Sequence, residues 1–113
     1  MEDVLPFMRN ATSGRGVPDE RLKQVSTHYG RFHGISPINA RNLEIRRALE
    51  LELSRRGEEI EVVIGNRNWH PFIHDTLCDL AMRGLTRVLC IFTSAYVCYS
   101  GCRQYREDLA AAK

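Results

Sequence analysis

The 113-residue chain carries 16 basic and 14 acidic residues, a net charge of +2, and is 43% hydrophobic and 27% charged. It is too apolar for intrinsic disorder and too evenly charged to call for nucleic acid, and at this size one domain spanning 1–113 is the ceiling. The longest apolar run, 88–92, is far below the roughly 20 residues a membrane span needs, and no apolar signal core follows Met1, so a cytoplasmic protein with no transmembrane segment is expected.

Residues 2–10 form a short amphipathic stretch with Val4, Leu5, Phe7 and Met8, broken by the flexible basic loop Ser13-Gly14-Arg15-Gly16. Pro18 opens a second helix: proline suits the first helical position, Asp19 and Glu20 meet the positive end of the dipole, and Leu22, Val25 and Tyr29 recur at helical spacing. That helix stops near Gly30. The segment 32–37 leads into a long helix with Ser36 as N-cap and Pro37 as its first residue, and Ile38, Ile45, Leu49 and Leu53 give it a stripe expected to be buried, down to Gly57.

The β-branched run 60–64 has the composition of a strand and ends at Gly65. After the loop Asn66-Arg67-Asn68-Trp69-His70, Pro71 opens a helix bearing Ile73, Leu77, Leu80 and Ala81. The run 88–92 reads as a second strand, and strand, helix and strand in about thirty residues make a βαβ unit with parallel strands. The expected class is therefore α/β. A final helix starts near Cys102, and the polar, aromatic loops 65–70 and 93–101 fall at the carboxyl ends of the two strands, where open parallel sheets bind ligands.

Several side chains suit binding. Gly14-Arg15-Gly16 exposes backbone donors beside a forked cation and reads either as an anion cradle or as a solvated turn, without any nucleotide fingerprint. Ser36 reads either as a simple N-cap or as a hydroxyl at a helix mouth that receives a carboxylate. Tyr96, Tyr99, Ser100, Arg103 and Tyr105 suit a flat aromatic ligand with acidic arms, or are surface residues of one loop and helix. Metal ligation has little support, because His70 and His74 flank Pro71 without an intervening glutamate, and Cys98 and Cys102 lack a second cysteine pair. The other two cysteines, Cys78 and Cys90, add no disulfide framework in this context.

Taken together, Gly14-Arg15-Gly16-Val17-Pro18, His28-Tyr29 with Gly34-Ile35-Ser36-Pro37-Ile38-Asn39, Gly65-Asn66-Arg67-Asn68-Trp69-His70-Pro71, Thr93-Ser94-Ala95-Tyr96 and Tyr99-Ser100-Gly101-Cys102-Arg103-Gln104-Tyr105-Arg106-Glu107 resemble the amino-terminal half of ferrochelatases of the actinobacterial type. The resemblance implies a partial flavodoxin-like, chelatase-like parallel sheet with flanking helices, lacking the family's first strand. In the strand order 2-1-3 that strand lies between the two runs read here, so instability of the isolated chain is expected.

It also implies a part in inserting ferrous iron, as substrate, into coproporphyrin III to give coproheme. Ser36 and Tyr105 stand at the family's porphyrin-binding positions, with Arg15 a further candidate by its charge. The family's metal-handling histidine and glutamate match no residue of this sequence, and the cysteine ligands of the actinobacterial iron–sulfur cluster are not carried over to Cys98 or Cys102. The expectation is therefore no catalytic or metal-binding residue and no cofactor within the chain, no iron insertion by it alone, and two partners: the porphyrin and a complementary second-half chain. The alternative is a module that binds porphyrin without converting it. His33 stands where the family usually has glycine.

Overall fold

The computed structural model describes residues 2–31, 33–94 and 97–112. Phe32, Ala95 and Tyr96, which the sequence reading placed in connecting segments, lie outside them, as do the side chains of Ser100 and Cys102. The chain divides into two compact units, Met1–Val62 and Val63–Lys113.

In the first unit, α1 spans Val4–Ala11 and α2 spans Asp19–Gly30. Val4 and Met8 lie one turn apart on α1 and bury against Leu22 of α2, with Leu5, Phe7, Val17, Val25 and Tyr29 packed around them. Apart from Val17, which precedes α2, this is the apolar set that the helical spacing predicts for both helices. The pair is also tied at the end joined by the connecting turn, where Arg9 donates from Nε to Asp19 Oδ1 at 3.3 Å and from Nη2 to Oδ2 at 2.5 Å. Those hydrogen bonds, more than simple charge attraction, hold the Asp19 carboxyl below its usual range and push the Arg9 guanidinium further up.

Helix α3, Ile38–Arg55, is stabilised along its surface by ion pairs one turn apart, Arg41 with Glu44 and Arg46 with Glu50. Gly57, at φ 81°, ends it as expected by adopting the left-handed conformation that frees the Glu58 amide to reach the Leu53 carbonyl at 3.0 Å. The buried stripe expected on α3 is not found. No α3 residue is buried, and Ile38 and Ile45 are 59% and 57% exposed. Helical spacing reports that a face can be buried; burial itself requires a partner, and within the first unit α3 packs against neither α1 nor α2.

In the second unit, α4 spans Ile73–Met82 and α5 spans Gln104–Ala111, the latter entered through a π-helical turn at Tyr99–Arg103. Helix α4 packs on α5, and α5 on the turn before it. Gly65 lies so close to α4 that a Cβ there would stand 2.9 Å from the Ile73 Cα, so the glycine is required by close backbone approach.

The expected α/β class, a partial flavodoxin-like parallel sheet, is overturned. The described residues form five α-helices and no sheet, and their one β-bridge is the isolated pair Asn66 and Phe72. Runs 60–64 and 88–92 have strand composition, yet a strand exists only where a neighbour takes its N–H and C=O groups. Side chains take some of them: the Val62 amide donates to Glu50 Oε1 at 3.2 Å, and the Ile64 carbonyl accepts from the Thr76 hydroxyl at 3.0 Å. The backbone of 88–92 makes no hydrogen bond among the described residues.

Candidate functional site

Two of the three porphyrin-binding candidates lie in the first unit. Arg15 sits in the turn after α1, between Gly14 at φ 77° and Gly16 at φ 64°, with its amide bonded to the Thr12 carbonyl at 3.0 Å. The side chain is exposed, and its guanidinium has no acidic partner among the described residues. Such a cation is free to pair with an incoming anion.

Ser36 is exposed two residues before α3, and its Oγ accepts from the Ile38 amide at 3.3 Å. The helix starts at Ile38, so Pro37 and not Ser36 takes the N-cap position, yet the Ser36 hydroxyl still satisfies the Ile38 amide from one residue further out. A hydroxyl that accepts from the backbone retains its own hydrogen to donate, so the bond to the Ile38 amide and a bond to a carboxylate are compatible roles for one hydroxyl. The approach to Ser36 is fixed by the end of α2, where the Gly34 amide reaches the Tyr29 carbonyl at 2.8 Å and His33 is held at φ 55°.

The second unit holds Tyr105, half-buried on α5 with its ring stacked on Phe92, centroids 5.4 Å apart and planes 28° from parallel. Its phenol oxygen makes no hydrogen bond among the described residues. Nearby Tyr99 is occupied: its hydroxyl donates to Glu107 Oε2 at 3.3 Å, and Arg103 donates from Nε to Glu107 Oε1 at 3.1 Å while its guanidinium lies 5.5 Å from the Tyr99 ring centre. Of the aromatic and polar set read from the sequence, Tyr105 is therefore the described side chain with a phenol left to offer a ligand, and Tyr96 and the Ser100 hydroxyl lie outside the described residues.

The loop 66–72 is shaped by its own backbone. The Asn66 amide donates to the Pro71 carbonyl at 2.6 Å, the Ile73 amide returns to the Asn66 carbonyl at 2.9 Å, and the Asn66 side chain donates to the His70 carbonyl at 3.0 Å. His70 lies edge-on between the rings of Trp69 and Phe72, with centroids 5.5 and 4.5 Å away. His74 instead neighbours Cys78, whose Sγ is 3.6 Å from its Nδ1. Among the described residues no three His, Cys, Asp or Glu side chains gather as a metal site, and Cys90 and Cys98 are exposed, so the described cysteines do not fit an iron–sulfur cluster, which takes four thiolates.

Sequence reasoning missed one contact: Arg67 donates from Nε to Asp108 Oδ2 at 2.8 Å, joining the loop before α4 to α5. The partners are 41 residues apart, so no local pattern exposes the pairing, although Asp108 stands one turn beyond Tyr105.

The chain belongs to the ferrochelatase family, which it matches over residues 1–113. Its curated relatives include the coproporphyrin III ferrochelatases of Leifsonia xyli, 52% identical over 98% of this chain and 28% of that protein, and of Tropheryma whipplei (strain Twist), 57% identical over the same shares. The coproporphyrin III ferrochelatase of Nocardia farcinica is 51% identical over 99% of this chain and 32% of its own length. The chain thus spans about three-tenths of the length of these relatives. No solved structure matches it. Among the described residues no helix is long and apolar enough to cross a membrane.

Proposed function

We propose that these residues form the porphyrin-binding share of a coproporphyrin III ferrochelatase, the enzyme activity that places ferrous iron in the macrocycle to give coproheme. The observation that carries this reading is the 52–57% identity to coproporphyrin III ferrochelatases over 98% of the chain. Ser36 and Tyr105 donate to propionate carboxylates, Ser36 from a helix mouth whose dipole favours the negative charge, and the free Arg15 guanidinium adds a cation. Metal insertion also needs a base to take the pyrrole protons, the role of the family histidine and its companion glutamate, and no residue here matches either. The 113 residues alone therefore bind porphyrin without metallating it, and a polypeptide that supplies those two groups completes the reaction.

An absorbance titration of the purified chain with coproporphyrin III, followed by anaerobic ferrous iron, tests both parts. A saturable shift of the free-base bands that iron leaves unchanged is the expected result. Conversion to a metalloporphyrin faster than a protein-free control would show that the centre works without the histidine and glutamate. Absence of any shift would remove the binding assignment.

A further inference from the structure

The geometry points to the Arg67–Asp108 ion pair as the device that aims the Tyr105 phenol at the porphyrin, an inference that rests on the binding role given to Tyr105. Tyr105 and Asp108 are three residues apart on α5 and so share a face of the helix. The Tyr105 ring is fixed on one side by its stack on Phe92, which limits ring tilt but leaves α5 free to turn or slide with it. Arg67 supplies the missing constraint. It lies in the loop 66–72, itself closed by the Asn66 to Pro71 and Ile73 to Asn66 bonds, and grips Asp108 across 41 residues of chain.

The pair is shielded, with side chains 20% and 32% exposed, whereas the one-turn pairs on α3 and α5 are more open. A shielded pair is less weakened by solvent and salt than an exposed one. Because α4 follows directly from the loop and packs on α5, the ion pair and the helix contact fix α5 at two points, with Tyr105 beside them. Arg67 is thus a positioning residue: its charge is spent on Asp108, and its effect on the ligand passes through the phenol.

A double-mutant cycle on the 113-residue chain separates positioning from general support, with coproporphyrin III affinity read by absorbance and helix content by circular dichroism. The expected result is that Tyr105→Phe weakens binding about tenfold and Asp108→Asn about fivefold, while the double variant binds no worse than Tyr105→Phe alone. Restored affinity when Arg67→Asp is combined with Asp108→Arg would add support, and Arg67→Lys, which keeps the charge but loses the planar fork, gives a milder loss should Asp108→Asn fail to fold. Losses that multiply in the double variant, or an Asp108→Asn chain that binds normally while Tyr105→Phe does not, would overturn the positioning role and leave the Tyr105 assignment standing. Unchanged affinity in Tyr105→Phe would instead remove that assignment and the positioning role with it.

Discussion

At position 33 a histidine occupies φ 55°, a left-handed conformation in which its Cβ crowds the following carbonyl and which glycine adopts without that cost. His33→Gly is expected to raise stability by about 0.5–1 kcal/mol, the relief of strain exceeding the extra chain entropy, as a higher urea midpoint with unchanged slope. Ser36 offers a sharper test, because its two roles use opposite capacities of one hydroxyl, accepting from the Ile38 amide and donating to a carboxylate. Ser36→Ala should cost about 0.5–1 kcal/mol of stability through the lost bond to the Ile38 amide and also weaken porphyrin binding. Ser36→Asp keeps an acceptor for the Ile38 amide and so preserves stability, yet places a like charge against a propionate and should abolish binding. Ser36 could be picked out from the sequence because it sits at a helix start that short-range chemistry defines, whereas its binding role and the oddity of His33 came from the resemblance to the family. The Arg67–Asp108 pair could not, since its spacing of 41 residues is set by how loop and helix pack.

Between elements, the contrast between α2 and α3 is measurable. Leu22 is 3% exposed at the centre of the α1–α2 core, so Leu22→Ala should cost about 2–4 kcal/mol in a denaturant melt, while Ile45→Ala on the open face of α3 should fall within about 0.5 kcal/mol of zero. Gly65→Ala should cost about 1–3 kcal/mol, because its Cβ meets backbone of α4 that has no room to give. The Arg9–Asp19 tie predicts a pH dependence. Asp19 titrates lower in the folded chain than in the unfolded one, so its contribution is present above the ordinary carboxylate range and lost as pH falls through the folded value, while Arg9 stays protonated throughout. The stability gap between the chain and Arg9→Gln, taken from melts at neutral and acid pH, should therefore close on the acid side. The sequence announces α1 and α2 because the two helices carry both halves of one core, Val4 and Met8 on one and Leu22 on the other. For α3 the same periodic signal is present, but neither α1 nor α2 supplies its complement within the first unit.

For the molecule as a whole, the lesson lies in the two runs that read as strands. Ile60, Val63, Val88, Leu89 and Ile91 have the residue types of a buried sheet, and Leu89 is 88% exposed. Composition registers what a segment is suited to join; pairing is a property of two segments, so the α/β reading failed where the helix assignments held. Family membership was legible for the opposite reason, since it rests on the order of short motifs, which survives whether or not a sheet forms. The backbone of 88–92, which makes no hydrogen bond among the described residues, has a consequence in time. Amide protons without an acceptor exchange with solvent almost at once, whereas those inside α1 and α2 must wait for a helix to open. In deuterated water this run should gain mass in the earliest pulse. Slowed uptake in the same peptide after porphyrin is added would show that the ligand's binding has covered the run beside Tyr105, whose ring stacks on Phe92.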